Sequence, residues 1–128
     1  IAYASQRFSK PRFYCRSFTE LLEDPVQYDF IYSSEVIEHV SDINLYMNVL
    51  RTLARDKAHL YITTPDIGHP KVPAEINRWD VFTPPVHVQF LNRKSARRLF
   101  EKYGFSIRKF YPNRKPGLNF LARKTGAG

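Results

Sequence analysis

At 128 residues the chain has the length of one domain, and 43% hydrophobic with 15% aromatic content supports a packed core rather than disorder. The formal charge of +8 is uneven: from Arg93 onward there are eleven Lys or Arg residues and one acid, Glu101, whereas acids gather between Glu20 and Asp42. No apolar run approaches the roughly 20 residues that a membrane-spanning helix needs, and the opening IAYASQRFSK has no hydrophobic stretch of signal-peptide length. A basic end suits an anionic partner such as RNA, a phosphorylated substrate or anionic lipid, and equally a solvated face balanced by acids elsewhere. Cys15 stands alone, which removes an intrachain disulfide and is compatible with a reducing, cytoplasmic setting.

Residues 1 to 8 read as the last turns of a helix, ended at Lys10-Pro11 because the residue before proline is pushed away from helical angles. Arg12 to Arg16 (RFYCR) then reads as a short strand. Ser17 stands three residues before Glu20, the spacing of a capping box, and starts the short helix SFTELLED. Tyr28 to Tyr32 forms a strand, followed by Ser33, Ser34 and a helical turn that carries Glu35, Glu38 and His39. Positions i, i+3 and i+4 share one helical face, so these three side chains are expected to point together beyond the strand end. In open α/β sheets that crevice is where ligands bind. Two carboxylates and an imidazole on one face can hold a divalent cation; alternatively Glu38 and His39 pair with neighbours, with His39 as a base.

Ser41 is placed to cap a second helix, in which Ile43, Tyr46, Met47, Leu50, Leu53 and Ala54 recur at helical spacing. Tyr46 and Met47 read as core. The strand AHLYITT follows, and then residues 65 to 86 form a long, proline-interrupted loop with Trp79, which either anchors the loop or stacks on a substrate. His59 reads as a packed or surface residue of the strand, and His69 as a loop residue. Asn92 caps the helix RKSARRLFEKY, Gly104 ends it, and the strands FSIRKFY and LNFLARK close the chain around the turn PNRKPG. Alternating elements followed by a strand pair predict an α/β fold with a mostly parallel sheet and an antiparallel C-terminal strand.

The segments FYCRSFTELL, YDFIYSSEVIEHVSD, LYITTP, PPVHVQFLNRKSARRLFEKYGF and NFLARK resemble class I S-adenosylmethionine-dependent methyltransferases. Within that class they resemble most the branch of ubiquinone-biosynthesis O-methyltransferases and small-RNA terminal methyltransferases. The resemblance corresponds to the C-terminal two-thirds of such a domain. It implies a single N-terminally truncated, Rossmann-like domain over residues 1–128, lacking the family's first two strands and its glycine-rich loop. The five glycines, at 68, 104, 117, 126 and 128, form no such loop. Ser17 stands where the family often has an Asp, and Arg55-Asp56-Lys57 where a Pro-Gly-Gly turn is common.

By resemblance, Ser33, Ser34 and Glu35 line the methionine and sulfonium end of the donor, with Ser17 and Phe18 near adenine; helix capping is a compatible role for Ser33 and Ser34. Glu38 and His39 are the catalytic candidates. Glu35, Glu38, His39 and His87 form a candidate set for Mg, Mn, Fe or Zn, with His87 supplied by the PPVHVQF block. The expected reaction is O-methylation of a small molecule or a nucleic-acid hydroxyl. The alternatives are a non-catalytic remnant and a partner- or RNA-binding module using the basic end. Without two neighbouring strands, Tyr28 to Tyr32 is expected to be an apolar edge that pairs with a second copy, or that takes up Arg12 to Arg16.

Overall fold

A computed structural model describes residues 1–126. Helices α1 (Ala2–Arg7) and α2 (Phe18–Glu23) precede strand β1 (Tyr28–Ser34), a 3-10 turn (Ile37–His39) and helix α3 (Ile43–Leu53). Strand β2 (Ala54–Pro65), a 3-10 turn (Ile76–Arg78), helix α4 (Arg93–Lys102) and strands β3 (Phe105–Tyr111) and β4 (Gly117–Lys124) complete the order. The sheet runs β1-β2-β4-β3. β1 and β2 are parallel, and β4 runs against both β2 and β3, so β1, β2 and β3 share one direction. This is the expected α/β fold, mostly parallel in direction with β4 reversed.

Local chemistry accounts for most boundaries. Ser17 accepts from the Glu20 amide while the Glu20 carboxylate accepts from the Ser17 amide, which closes the capping box of α2. Asn92 and Ser95 do the same for α4, and Gly104 ends that helix at φ 79, where a side chain would be strained. On α3, Tyr46, Met47, Val49, Leu50 and Leu53 are buried. Phe100 of α4 meets Phe120 of β4 edge-on at 4.9 Å between centroids, with Phe105 beside it. Removing each such ring from water contributes about 1.5–3 kcal/mol.

Four expectations fail here. Arg12 to Arg16 is not a strand and does not fill the gap beside β1, whose one partner among the described residues is β2. Instead Arg16 pairs with Asp24 at 3.4 Å, and Tyr14 and Arg16 line a hollow with Val26 and Tyr28. The cap of α3 is Asp42, not Ser41, because the Asp42 carboxylate reaches two amides, of Asn44 and Leu45. Glu35, Glu38 and His39 do not share a helical face. Glu35 takes φ 53, and its amide extends the sheet ladder to the Thr63 carbonyl, so helical geometry begins only at Ile37. Lastly, β2 starts at Ala54 rather than at Ala58, with Lys57 held at φ 66 where the sheet register shifts. A lysine here adopts the backbone that glycine adopts freely.

Candidate functional site

The C-terminal ends of β1 and β2 converge on a pair of threonines. Register places Ser34 opposite Thr63. Thr63 Oγ1 donates to Glu35 Oε1 at 2.9 Å, so the Ser34 hydroxyl, 2.7 Å from Thr63 Oγ1, is the donor in that contact. The next residue, Thr64, faces the other side of the strand and donates to Glu38 Oε2 at 2.9 Å. Two adjacent hydroxyls thus fix two carboxylates. Neither threonine stood out as a site residue in the sequence; the available signal was a hydroxyl pair ending one strand opposite Ser33-Ser34 ending its neighbour.

Glu38 is 1% exposed, and its Oε1 has no hydrogen-bond partner. Burial raises its pKa above the usual carboxylate range, and the nearby Glu35 charge adds to the rise. His39 Nε2 lies 4.0 Å from the orphan oxygen, and the His39 and His87 rings are 4.6 Å apart. Each ring is tethered by Nδ1: His39 to the Val86 carbonyl at 2.9 Å, His87 to the Val81 carbonyl at 2.6 Å. A carbonyl only accepts, so Nδ1 carries the proton and the neutral ring keeps its lone pair on Nε2. The Glu38 carbonyl in turn accepts from the amides of Val88 and Gln89, which binds the long loop to the acidic turn.

One ligand atom from each of Glu38, His39 and His87 lies within 4.8 Å of the others. Glu35 stands outside this cluster, its carboxylate taken by Thr63. Glu35 and His87 instead line a cleft of about 660 Å³ with Trp79, Lys71, Lys115 and Asn119. Trp79 is 5% exposed and packs on Phe90, so it anchors the loop with part of its ring in the cleft wall. His59 lies at the surface, and His69 reaches the Asn113 carbonyl.

Of the residues that the resemblance assigns to the donor, Phe18 lines a hollow with His39, Ser41 and Asp42 and meets Tyr46 at 5.8 Å. The Ser17 hydroxyl is engaged in its capping box. Ser33 Oγ is 2.8 Å from the Tyr46 hydroxyl, whose pKa burial pushes up to about 12. No described helix is long and apolar enough to cross a membrane.

No curated protein matches the chain. Among solved structures, it is similar to magnesium protoporphyrin IX methyltransferase (ChlM) from Synechocystis PCC 6803 with bound SAH. The identity is 16% and the TM-score 0.69, over 97% of this chain and 57% of that one. It is similar to 1,6-didemethyltoxoflavin-N1-methyltransferase from Burkholderia thailandensis, at 16% identity and TM-score 0.69, over 97% and 56%. N,N-8-amino-8-demethyl-D-riboflavin dimethyltransferase (RosA) from Streptomyces davawensis gives 22% identity and TM-score 0.70, over 97% and 38%. The chain therefore spans 38–57% of the length of these structures, and at such identities they speak for the fold. A family model described as a methyltransferase domain matches residues 4–109, most of the chain. On that match, joined to the sheet order and the strand-end site, the chain belongs to the methyltransferase domain family.

Proposed function

We propose that this chain is part of an S-adenosylmethionine-dependent methyltransferase acting on an oxygen, in a small molecule or a nucleic-acid hydroxyl. The observation that carries the reading is the buried Glu38 carboxylate beside two imidazoles with free Nε2 atoms, at the strand end where α/β folds bind ligands. In this reading His39 Nε2 takes the acceptor proton, and the charge it gains lies 4.0 Å from Glu38 Oε1. The Val86 carbonyl keeps the ring aimed during that transfer.

The residues present fit one side of the donor. The half-buried Phe18 ring offers an apolar wall for a flat base, with Ser17 at its edge. Ser33, Ser34 and Glu35 border the other end, although both serine hydroxyls already have protein partners. When bound, the donor supplies an electrophilic methyl group on sulfur, and the protein contributes position and dryness.

A second reading is favoured by the clustering of Glu38, His39 and His87. These three would hold a divalent cation, with Nδ1 tethers of the kind that orient metal-binding imidazoles. Two nitrogens and one oxygen suit Zn or Fe better than Mg or Mn. Such a cation supplies Lewis acidity toward the acceptor hydroxyl.

The β1 edge, which has no strand beyond it among the described residues, supports a homodimer as the assembly, with Tyr28, Phe30 and Tyr32 exposed beside it on one face of the sheet.

Calorimetric titration of the chain with S-adenosylmethionine tests the main reading. Saturable heat that Phe18→Ala diminishes is expected, together with label transfer that His39→Ala abolishes; absence of heat overturns the reading. Zinc titration tests the second, with affinity expected to fall about tenfold or more in Glu38→Gln and in His87→Ala. Equal uptake by the variants discards it.

A further inference from the structure

The turn joining β3 to β4 is clamped against the loop that follows β2. Lys71 Nζ donates to the Arg114 carbonyl at 2.9 Å, the Asp66 amide to the Pro116 carbonyl at 3.1 Å, and His69 Nε2 lies 3.3 Å from the Asn113 carbonyl. Within the turn, the Lys115 amide donates to Asn113 Oδ1 and the Gly117 amide to the Lys115 carbonyl. A Cβ on Gly117 would collide with the Asn113 amide group, so glycine is what lets that side chain fold across the turn. These bonds bring Lys71 and Lys115 to one corner of the 660 Å³ cleft, with Asn113 and Asn119 beside them.

The corner is cationic and uncompensated. Among the described residues, ion pairs of Lys or Arg with a carboxylate join Arg16 to Asp24, Arg55 to Asp29, Arg78 to Glu75 and Lys124 to Asp56. None includes Lys71, Arg114 or Lys115. The carboxylates of the lining, Glu35 and Asp80, belong to the end of β1 and to the Trp79 loop, and neither is within ion-pair distance of these lysines. Like charges held together by backbone bonds are relieved by an anion placed between them. Across the sheet, Glu35 follows β1 and Lys115 precedes β4, two strand spacings apart, or roughly 10 Å.

We propose that the Lys71–Lys115 corner binds an oxyanion group, phosphate or carboxylate, carried by a small methyl acceptor whose reacting atom lies at the Glu35–His87 end. The acceptor part rests on the methyltransferase reading; the anion site does not. A cleft of this size takes a small molecule, and its Trp79 and proline walls cover the apolar middle of such a compound.

The test is an NMR titration of the chain with inorganic phosphate and, separately, with acetate at constant ionic strength, without any methyl donor. Saturable shifts at the Gly117 and Asn119 amides are expected. They weaken about tenfold in Lys71→Gln/Lys115→Gln and stay as they are in Lys94→Gln, which lies on α4. Response to phosphate alone or to both anions supports the site and says which oxyanion it prefers. Shifts that never saturate, or that survive in the double variant, overturn it. A single-stranded oligoribonucleotide forms the last arm: steeply salt-dependent binding that spreads over the basic face of α4 would replace the small acceptor with RNA. Donor binding, measured apart by calorimetry, reports on the enzyme reading, so either can fail alone.

Discussion

At the scale of single residues, Glu38 is the most strained group of the candidate site. Its carboxylate is buried with one oxygen unpartnered, and burial raises its pKa. For an acid whose folded pKa lies above the unfolded value near 4.3, stability is fully present below that value and is lost as pH rises through the folded one. With a chelator present, urea denaturation at several pH values from about 4 upward should show this loss, and Glu38→Gln should remove it. A parallel pH dependence in the variant would assign the slope elsewhere. Trp79→Ala should destabilise by about 3 kcal/mol and speed proteolysis between residues 66 and 92, since its ring packs on Phe90 beneath the loop. Glu38 and His39 were legible from residue type and strand-end placement, His87 came with the family resemblance, and Glu35, expected in the same group, stands outside it because Thr63 holds its carboxylate. Their partners were not, because Thr63 and Thr64 act through register, and the carbonyls of Val81 and Val86 carry no side-chain signature.

Among the elements, β1 and the start of β2 are where local sequence and final structure part. Both helix caps with a reciprocal partner three residues on, at Ser17 and at Asn92, could be read directly, because the signal and the bond are local. The strand expected at Arg12 to Arg16 failed for the opposite reason: strand formation needs a partner, and β-type residues alone do not supply one. The bare edge of β1 leads to the prediction that Phe30→Lys/Tyr32→Lys lowers self-association, measured by light scattering over a concentration series. An unchanged mass distribution would mean the edge is not the contact. At the start of β2, Lys57→Gly should raise stability by about 1 kcal/mol in the same urea assay, since φ 66 strains lysine and not glycine.

For the molecule as a whole, the order of elements from α2 onward and the reversal of β4 were legible because alternation and turn chemistry set them. Charge was legible as an amount but not as a place: only the clamped turn assembles Lys71 and Lys115, which are far apart in the chain. Both imidazoles hang from carbonyls of one stretch, Val81 to Val86, and the residues just after it, Val88 and Gln89, donate their amides to the Glu38 carbonyl. Aim and loop conformation are therefore a single variable. A one-residue insertion between Val81 and Val86 would swing the rings off target while sparing every functional side chain, a silent lesion that no inspection of site residues would reveal.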